Sequence, residues 1–249
     1  MRIIRLDSTE STNKYCKLLE LDSVEEFTVV WTPRQTAGVG QRGSHWESEP
    51  HKNLTFSIVL HPSFLRAEEQ FGITMALSLA IKSYLATINS NGIAIGIKWP
   101  NDIYVCGNKI CGTLIESTIS QQRIATAVCG IGLNVNQTTF PDWVPNPTSM
   151  ANEWGCEYDI ENCVLPDLVQ HIATHYAMLR NGSRKDMEQQ YYASLINYQR
   201  TARYLYHGNA IEATISGIDR FGRLLLTQSD GTEIISEVKE IVFLDILNS

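Results

Sequence analysis

The sequence predicts an α+β fold: one larger domain over residues 1–200 with a small β-barrel appended over 201–249. Three observations lead there. Strand-like and helix-like stretches intermix up to Tyr198 without internal repeat or low-complexity tract. Beyond Tyr198 only short strands remain, five in about fifty residues, separated by turn residues. A chain of 249 residues, 43% of them hydrophobic, has material for one sizeable core and a small second one.

The elements follow in order. Arg2 to Leu6 alternates as a short strand, and Ser11-Thr12-Asn13 offers capping chemistry to a helix through Lys14–Leu19. Phe27–Trp31 and Asn53–Leu60 are rich in β-branched and aromatic residues and read as strands. The polar, glycine-containing segment between them is long for a loop inside a compact domain, and such loops carry function. Glu69 to Ile88 has the apolar spacing of a long amphipathic helix. Strands return at Ile93–Trp99, Ile103–Cys106, Ile110–Glu116 and Ile124–Gly130, with Gly107-Asn108 as a hairpin turn. Leu165–Arg180 and Arg184–Leu195 read as helices. The closing strands are Tyr204–Tyr206, Ala210–Ser216, Arg223–Thr227, Glu233–Glu237 and Ile241–Leu244. His207-Gly208-Asn209 and Ser229-Asp230-Gly231 mark turns between them.

Composition narrows the function classes. A net charge of −7 argues against a phosphate-backbone binder, so no nucleic-acid partner is expected. The first residues lack the apolar segment of a secretion signal, and no apolar run is expected to span a membrane, which takes about 18 residues. Six scattered cysteines with no C-x-x-C pair suit reduced thiols in a cytoplasmic protein.

Ala37 to Gly43 contains G-V-G-Q-R-G, the string of a dinucleotide-binding turn. That reading needs a helix next, whose N-terminus receives the pyrophosphate. Ser44-His45-Trp46-Glu47-Ser48-Glu49-Pro50-His51 is too short and interrupted for one. The glycines still let backbone N–H groups approach an anion, and Gln41 and Arg42 add donors. A second stretch, Lys98-Trp99-Pro100-Asn101-Asp102, sets a cation, an aromatic ring, a rigid turn and two oxygen-bearing side chains at a strand end. A lysine turned inward there demands an anionic partner. A third, Gly130-Ile131-Gly132-Leu133-Asn134, ends a strand with glycines and an amide suited to a nucleotide or a metal-bound phosphate.

Taken in order, these segments resemble the biotin protein ligases. The match runs through Ser11-Thr12-Asn13, then Gln35-Thr36-Ala37-Gly38-x-Gly40-x-x-Gly43-x-x-Trp46, then Lys98 to Asp102. It continues through Lys109-x-x-Gly112-x-x-x-Glu116 and Gly130-x-Gly132-x-Asn134, and more loosely through Ser216-Gly217-Ile218-Asp219-x-x-Gly222-x-Leu224. The resemblance implies a class II aminoacyl-tRNA synthetase-like catalytic domain with a mixed sheet and an SH3-like C-terminal barrel. It implies ATP-dependent activation of biotin as biotinyl-5′-AMP, usually with Mg²⁺, and transfer to one lysine of a biotin carboxyl carrier protein. Lys98 and Arg42 become the catalytic candidates. Biotin falls to Ser11, Thr12, Asn13, Gln35, Val39, Gly40, Gln41, Lys98 and Gly112. ATP and the adenylate fall to Gly38, Gly40, Arg42, Gly43, Trp46, Asn101, Lys109 and Asn134. No direct tight metal site is expected; Mg²⁺ arrives with ATP, with Asn134 as its nearest candidate. By the same resemblance the chain opens on the first catalytic strand, so a ligase without a DNA-binding domain is expected, as monomer or homodimer.

Two positions depart from the family pattern. Val39 and Gln41 stand where relatives often carry basic residues, leaving Arg42 the loop's one cation. Two features read as structural: the His171/His175 pair, which lacks an obvious third ligand, and the cysteines Cys111 and Cys129; Trp31, flanking the loop, reads equally as ordinary core. The alternatives are a lipoate or octanoate ligase on the same fold and a non-catalytic small-molecule-binding protein.

Overall fold

In the computed structural model, residues 2–21 and 23–246 are described, with the side chain of Arg42 outside that description. The first half supplies β1 (Arg2–Arg5), α1 (Thr12–Lys17), β2 (Thr28–Thr32), β3 (Gly38–Val39), β4 (His45–Trp46), β5 (Leu54–Leu60) and α2 (Phe71–Ile88). Next come β6 (Ile95–Lys98), β7 (Asp102–Val105), β8 (Asn108–Ser120) and β9 (Arg123–Leu133), then α3 (Met150–Trp154), α4 (Leu165–Arg180) and α5 (Arg184–Ser194). The last segment carries β10 (Thr201–Tyr206), β11 (Asn209–Ile218), β12 (Leu224–Gln228), β13 (Glu233–Ser236) and β14 (Ile241–Phe243).

Seven strands form a mixed sheet in the order β1-β2-β5-β9-β8-β7-β6; β1 and β2 run parallel and every other pair antiparallel. The central strands β2 and β5 are buried along their whole length, because both faces of the sheet are covered. Leu54, Phe56, Ile58 and Leu60 of β5 join Ile73, Leu77 and Ile81 of α2 and Leu168, Ile172 and Tyr176 of α4 in the main core. On the opposite face Val30, Val59 and Val128 meet Cys16 of α1. Burial pushes the Cys16 thiol up to about 12. Cys111 and Cys129 are likewise fully buried, with thiols raised by desolvation, as befits packed side chains.

Several local expectations shift. Ser11 occupies the N-cap of α1, yet its side chain makes no capping bond, and Thr12 and Asn13 lie inside the helix. The β7–β8 turn centres on Cys106-Gly107, both at positive φ (48° and 80°), one residue earlier than the sequence suggests. The long segment after β2 folds back as the β3–β4 hairpin. Its turn is a three-residue 3₁₀ helix, Gln41–Gly43, so no helix follows the glycines. Ala67–Ile88, with mean hydropathy 1.5, is long and apolar enough by composition to cross a membrane, contrary to expectation. In the fold 67% of that window is buried, and it serves as the core helix between the sheet and α4. His171 bonds Ser83 Oγ through Nδ1 (3.1 Å), and His175 Nδ1 bonds the His171 carbonyl (2.9 Å). No cluster of three or more metal-binding side chains occurs among the described residues.

The C-terminal strands form an antiparallel sheet in the order β13-β12-β11-β10-β14. The five strands match expectation, but β13 and β14 are not paired with each other, so hydrogen bonds leave the sheet open. This sheet grips the larger one at the Lys98–Asp102 turn. Trp99, 5% exposed, donates its indole N–H to the Gly222 carbonyl (3.0 Å), while Tyr191 of α5 holds the same turn by donating to the Pro100 carbonyl (2.7 Å). Gly222 has φ +89° and its Cα faces the ring of Phe71, so a side chain there is excluded twice over. Trp99→Phe keeps an apolar ring but strands the Gly222 carbonyl. The expected cost is about 1–2 kcal/mol, read as a drop of roughly 2–8 °C in Tm.

Candidate active site

A concavity of about 360 Å³ opens between the mixed sheet, the β3–β4 hairpin and the C-terminal sheet. Its floor is made of missing side chains. Gly112 of β8 and Gly132 of β9 are cross-strand partners, and Gly130 faces Leu114 one step along. A methyl group on Gly132 would land in the Trp46 indole, and one on Gly130 would land in the Asn13 amide. The glycines therefore let two polar-tipped side chains lie flat on the sheet.

One end of the cavity is a polar network. Ser57, on the β5 face opposite Phe56 and Ile58, donates to Asn13 Oδ1 (2.6 Å) and lies 2.7 Å from Thr12 Oγ1. Asn13 Nδ2 donates to Glu116 (2.9 Å), whose other oxygen pairs with Lys17 (2.6 Å). Gln35 Oε1 accepts from the Thr12 backbone N–H (2.9 Å). Ser11, Thr12, Asn13 and Gln35 thus stand together, as the sequence suggests. Ser57, Lys17 and Glu116 complete the set. Only Glu116 belongs to a recognisable motif; Ser57 looks like an ordinary strand residue.

The other end is cationic. Lys98 and Asp102 are paired across β6 and β7, but Asp102 is taken by Lys109 at 2.7 Å. The half-buried Lys98 ammonium is left with the Tyr104 hydroxyl (3.4 Å) and two ring faces, Tyr104 at 5.4 Å and Phe243 at 5.5 Å. Desolvation by burial lowers its pKa, Asp102 partly restores it, and Lys109 lowers it further. A desolvated cation without a carboxylate of its own is set to receive an anion. Asn101 lines the wall, with its amide N–H committed to the Thr113 carbonyl and to Thr113 Oγ1 (3.1 Å).

The β3–β4 hairpin roofs the cavity. Val39, Gly40, Gln41 and Trp46 line it. Gly38 and Gly43 do not: Gly38 packs beneath Gln35 and Trp46, and Gly43, at φ +78°, sits in the exposed turn. The Arg42 backbone lies in that turn, while its side chain lies outside the described residues. The Trp46 indole N–H is buried without a partner among the described residues, and Lys109 lies 5.7 Å over the ring. Asn134 does not line the cavity. It sits just past β9, donating to the Thr148 carbonyl (2.9 Å), with a buried Oδ1 that no described residue engages.

The remaining wall comes from Val238, Lys239, Ile241, Val242 and Phe243. The sequence gives no sign that this segment touches the site.

Comparison with known proteins agrees with this architecture. Residues 5–134, more than half of the chain, match the model of the biotin/lipoate A/B protein ligase family. The bifunctional ligase/repressor BirA of Bacillus spizizenii is 29% identical over 94% of this chain and 71% of its own length. The biotin–[acetyl-CoA-carboxylase] ligase of Paracoccus denitrificans is 33% identical over 52% of this chain and 53% of its own. The biotin protein ligase of Aquifex aeolicus, solved with biotin and ATP, superposes with a TM-score of 0.79 at 26% identity, covering 100% of this chain and 99% of that one. Fold, sequence match and the anion-ready cavity converge, and the chain belongs to the biotin/lipoate A/B protein ligase family.

Proposed function

We propose that this protein activates biotin with ATP and transfers it to a lysine of a biotin carboxyl carrier protein. The observation that carries the reading is Lys98, a desolvated cation without an ion pair among the described residues, in a cavity of about 360 Å³ whose far end is a polar network. That size falls in the range of small-molecule sites. A biotin carboxylate oxygen bonds to the α-phosphorus of ATP, the bond to the bridging oxygen breaks, and pyrophosphate leaves with the electron pair. Bringing two anions together needs positive charge and orientation more than a base, and Lys98 supplies both. The uncharged amine of the acceptor lysine then attacks the acyl carbon, releases AMP and gives up its proton.

In this reading Ser11, Thr12, Asn13 and Gln35 hold the ureido end of biotin, with Val39, Gly40, Gln41 and Gly112 around its body. Trp46, Arg42, Asn101 and Lys109 serve the nucleotide, and Gly38 and Gly43 shape the hairpin above it. Mg²⁺ would arrive on the triphosphate and neutralise phosphate charge there; Asn134, its nearest candidate by sequence, keeps its side-chain oxygen buried outside the cavity. The roof over the cavity shields a labile anhydride from water. We assign residues 1–200 to a class II synthetase-like catalytic domain and 201–249 to an SH3-like one. Six unpaired cysteines accord with a cytoplasmic setting.

The test is biotin-dependent exchange of pyrophosphate into ATP, followed by labelling of a carrier-domain lysine. Equal exchange with lipoate would move the assignment to the sister chemistry, and no exchange with either would leave a binding protein. Val39 is 39% exposed at the cavity mouth, where an arginine could reach the adenylate. Val39→Arg is expected to slow release of biotinyl-adenylate by about five- to tenfold, the weight of one charge-assisted contact. Unchanged release by rapid-mixing fluorescence would show that the missing charge is of no consequence.

A further inference from the structure

We propose that Phe243 is a positioning residue: its ring, brought in by the C-terminal sheet, holds the Lys98 ammonium where the two reacting anions meet. The inference rests on the reading of Lys98 above and adds to it the group that fixes where that cation stands. A lysine side chain has four rotatable carbons and a strongly hydrated head, so burial alone does not fix it. Among the described residues Lys98 makes no ion pair, because Lys109 takes Asp102 at 2.7 Å. It lies instead between two aromatic faces, Tyr104 at 5.4 Å and Phe243 at 5.5 Å. Ring faces attract a cation through their quadrupole while leaving its N–H groups free to donate. A carboxylate would neutralise the charge that the reaction needs.

The two rings differ in origin. Tyr104 is on β7, beside Lys98 in the same hairpin. Phe243 comes from β14, at the far end of the chain. It is itself firmly placed, 9% exposed, edge-on to Tyr204 at 5.1 Å and in register with it on β10. The next backbone N–H, of Leu244, bonds the Arg203 carbonyl (3.1 Å), and Arg203 clasps Asp245 through Nε (3.0 Å) and a terminal nitrogen (2.7 Å). Strand β14 is thereby locked, and the ring with it. The second sheet would then set the reactivity of the first through the Phe243–Lys98 contact.

Fluorinated phenylalanines at position 243 test this, since each added fluorine weakens the ring's quadrupole at nearly constant shape. Pyrophosphate release from biotin and ATP is expected to slow stepwise through mono-, di- and trifluoro-Phe243, by roughly three- to tenfold over the series, with Tm unchanged. Phe243→Leu should lose activity at least as far as the trifluoro ring, and Phe243→Tyr should restore most of it. A flat series, or a decline that tracks Tm, overturns the proposal by making Phe243 a packing residue. Lys98→Ala separates the two readings. If it is inactive while the series is flat, only the role of Phe243 fails; if it remains active, the role given to Lys98 fails and this proposal with it.

Discussion

Lys98→Ala is expected to lower biotin-dependent pyrophosphate release by about 10²–10³-fold, the loss found when a preorganised charge-stabilising donor is removed. Stability should not fall with it. The ammonium is desolvated and makes no ion pair among the described residues, so the fold bears a cost for keeping it charged. Because burial lowers the Lys98 pKa, that cost is present at neutral pH and fades as pH rises from the lowered value towards the ordinary 10.5. Lys98→Met should therefore stabilise the protein more at pH 7 than at pH 10. Activity carries the opposite requirement, since the charged form is the working one. The alkaline limb of kcat/KM should fall below 10.5, with Asp102 opposing the downward shift and Lys109 adding to it. Bound anions favour the ammonium, so the limb for kcat should lie higher. An alanine variant that still forms adenylate at the wild-type rate, or coincident limbs, would refute the role given to this cation.

Gly132→Ala is expected to reduce kcat/KM for ATP by about ten- to a hundredfold. The added methyl falls in the space of the Trp46 indole, and Gly112 beside it leaves no slack because it too lies against that ring. Overpacking at such a site costs about 1–3 kcal/mol, relieved here by tipping Trp46 out of its seat. A double-mutant cycle assigns the cause. In a Trp46→Ala background the same methyl group should cost little, as its obstacle is gone. A full and equal loss in that background would place the damage in the sheet itself.

What the sequence discloses here follows the range of the interactions. The β-branched runs of β2 and β5, the spacing of α4 and the glycine-rich turn are local, and they could be read directly. The dinucleotide string at Gly38–Gly43 was decided by its neighbours: without a helix next, its glycines had to serve another geometry, and the hairpin bears that out. Whether Lys98 faces inward stayed open in the sequence; the chemistry of burying a cation says only what an inward lysine would need. Other features depend on distant partners. That Gly132 is vacant for the sake of Trp46 is a contact across 86 residues of chain. Ser57 supports Asn13 only because β5 brings its polar face under α1. Ile241 and Phe243 alternate like any strand in a small sheet, and nothing in their spacing points to Lys98. The open edge between β13 and β14 was equally hidden, since strand count does not determine closure.

The order in which the cavity's walls occur along the chain bears on synthesis. Residues 11 to 132 provide the polar end, the cation and the floor, whereas the wall at Val238–Phe243 comes from the last strand described. During synthesis the parts of the cavity from residues 11 to 132 leave the ribosome well before the wall that closes its remaining side. Until β14 docks on β10, Lys98 lacks one of its two ring neighbours and the reaction space stands open to water. Completion of the chain and closure of the reaction space are therefore linked through the wall at Val238–Phe243.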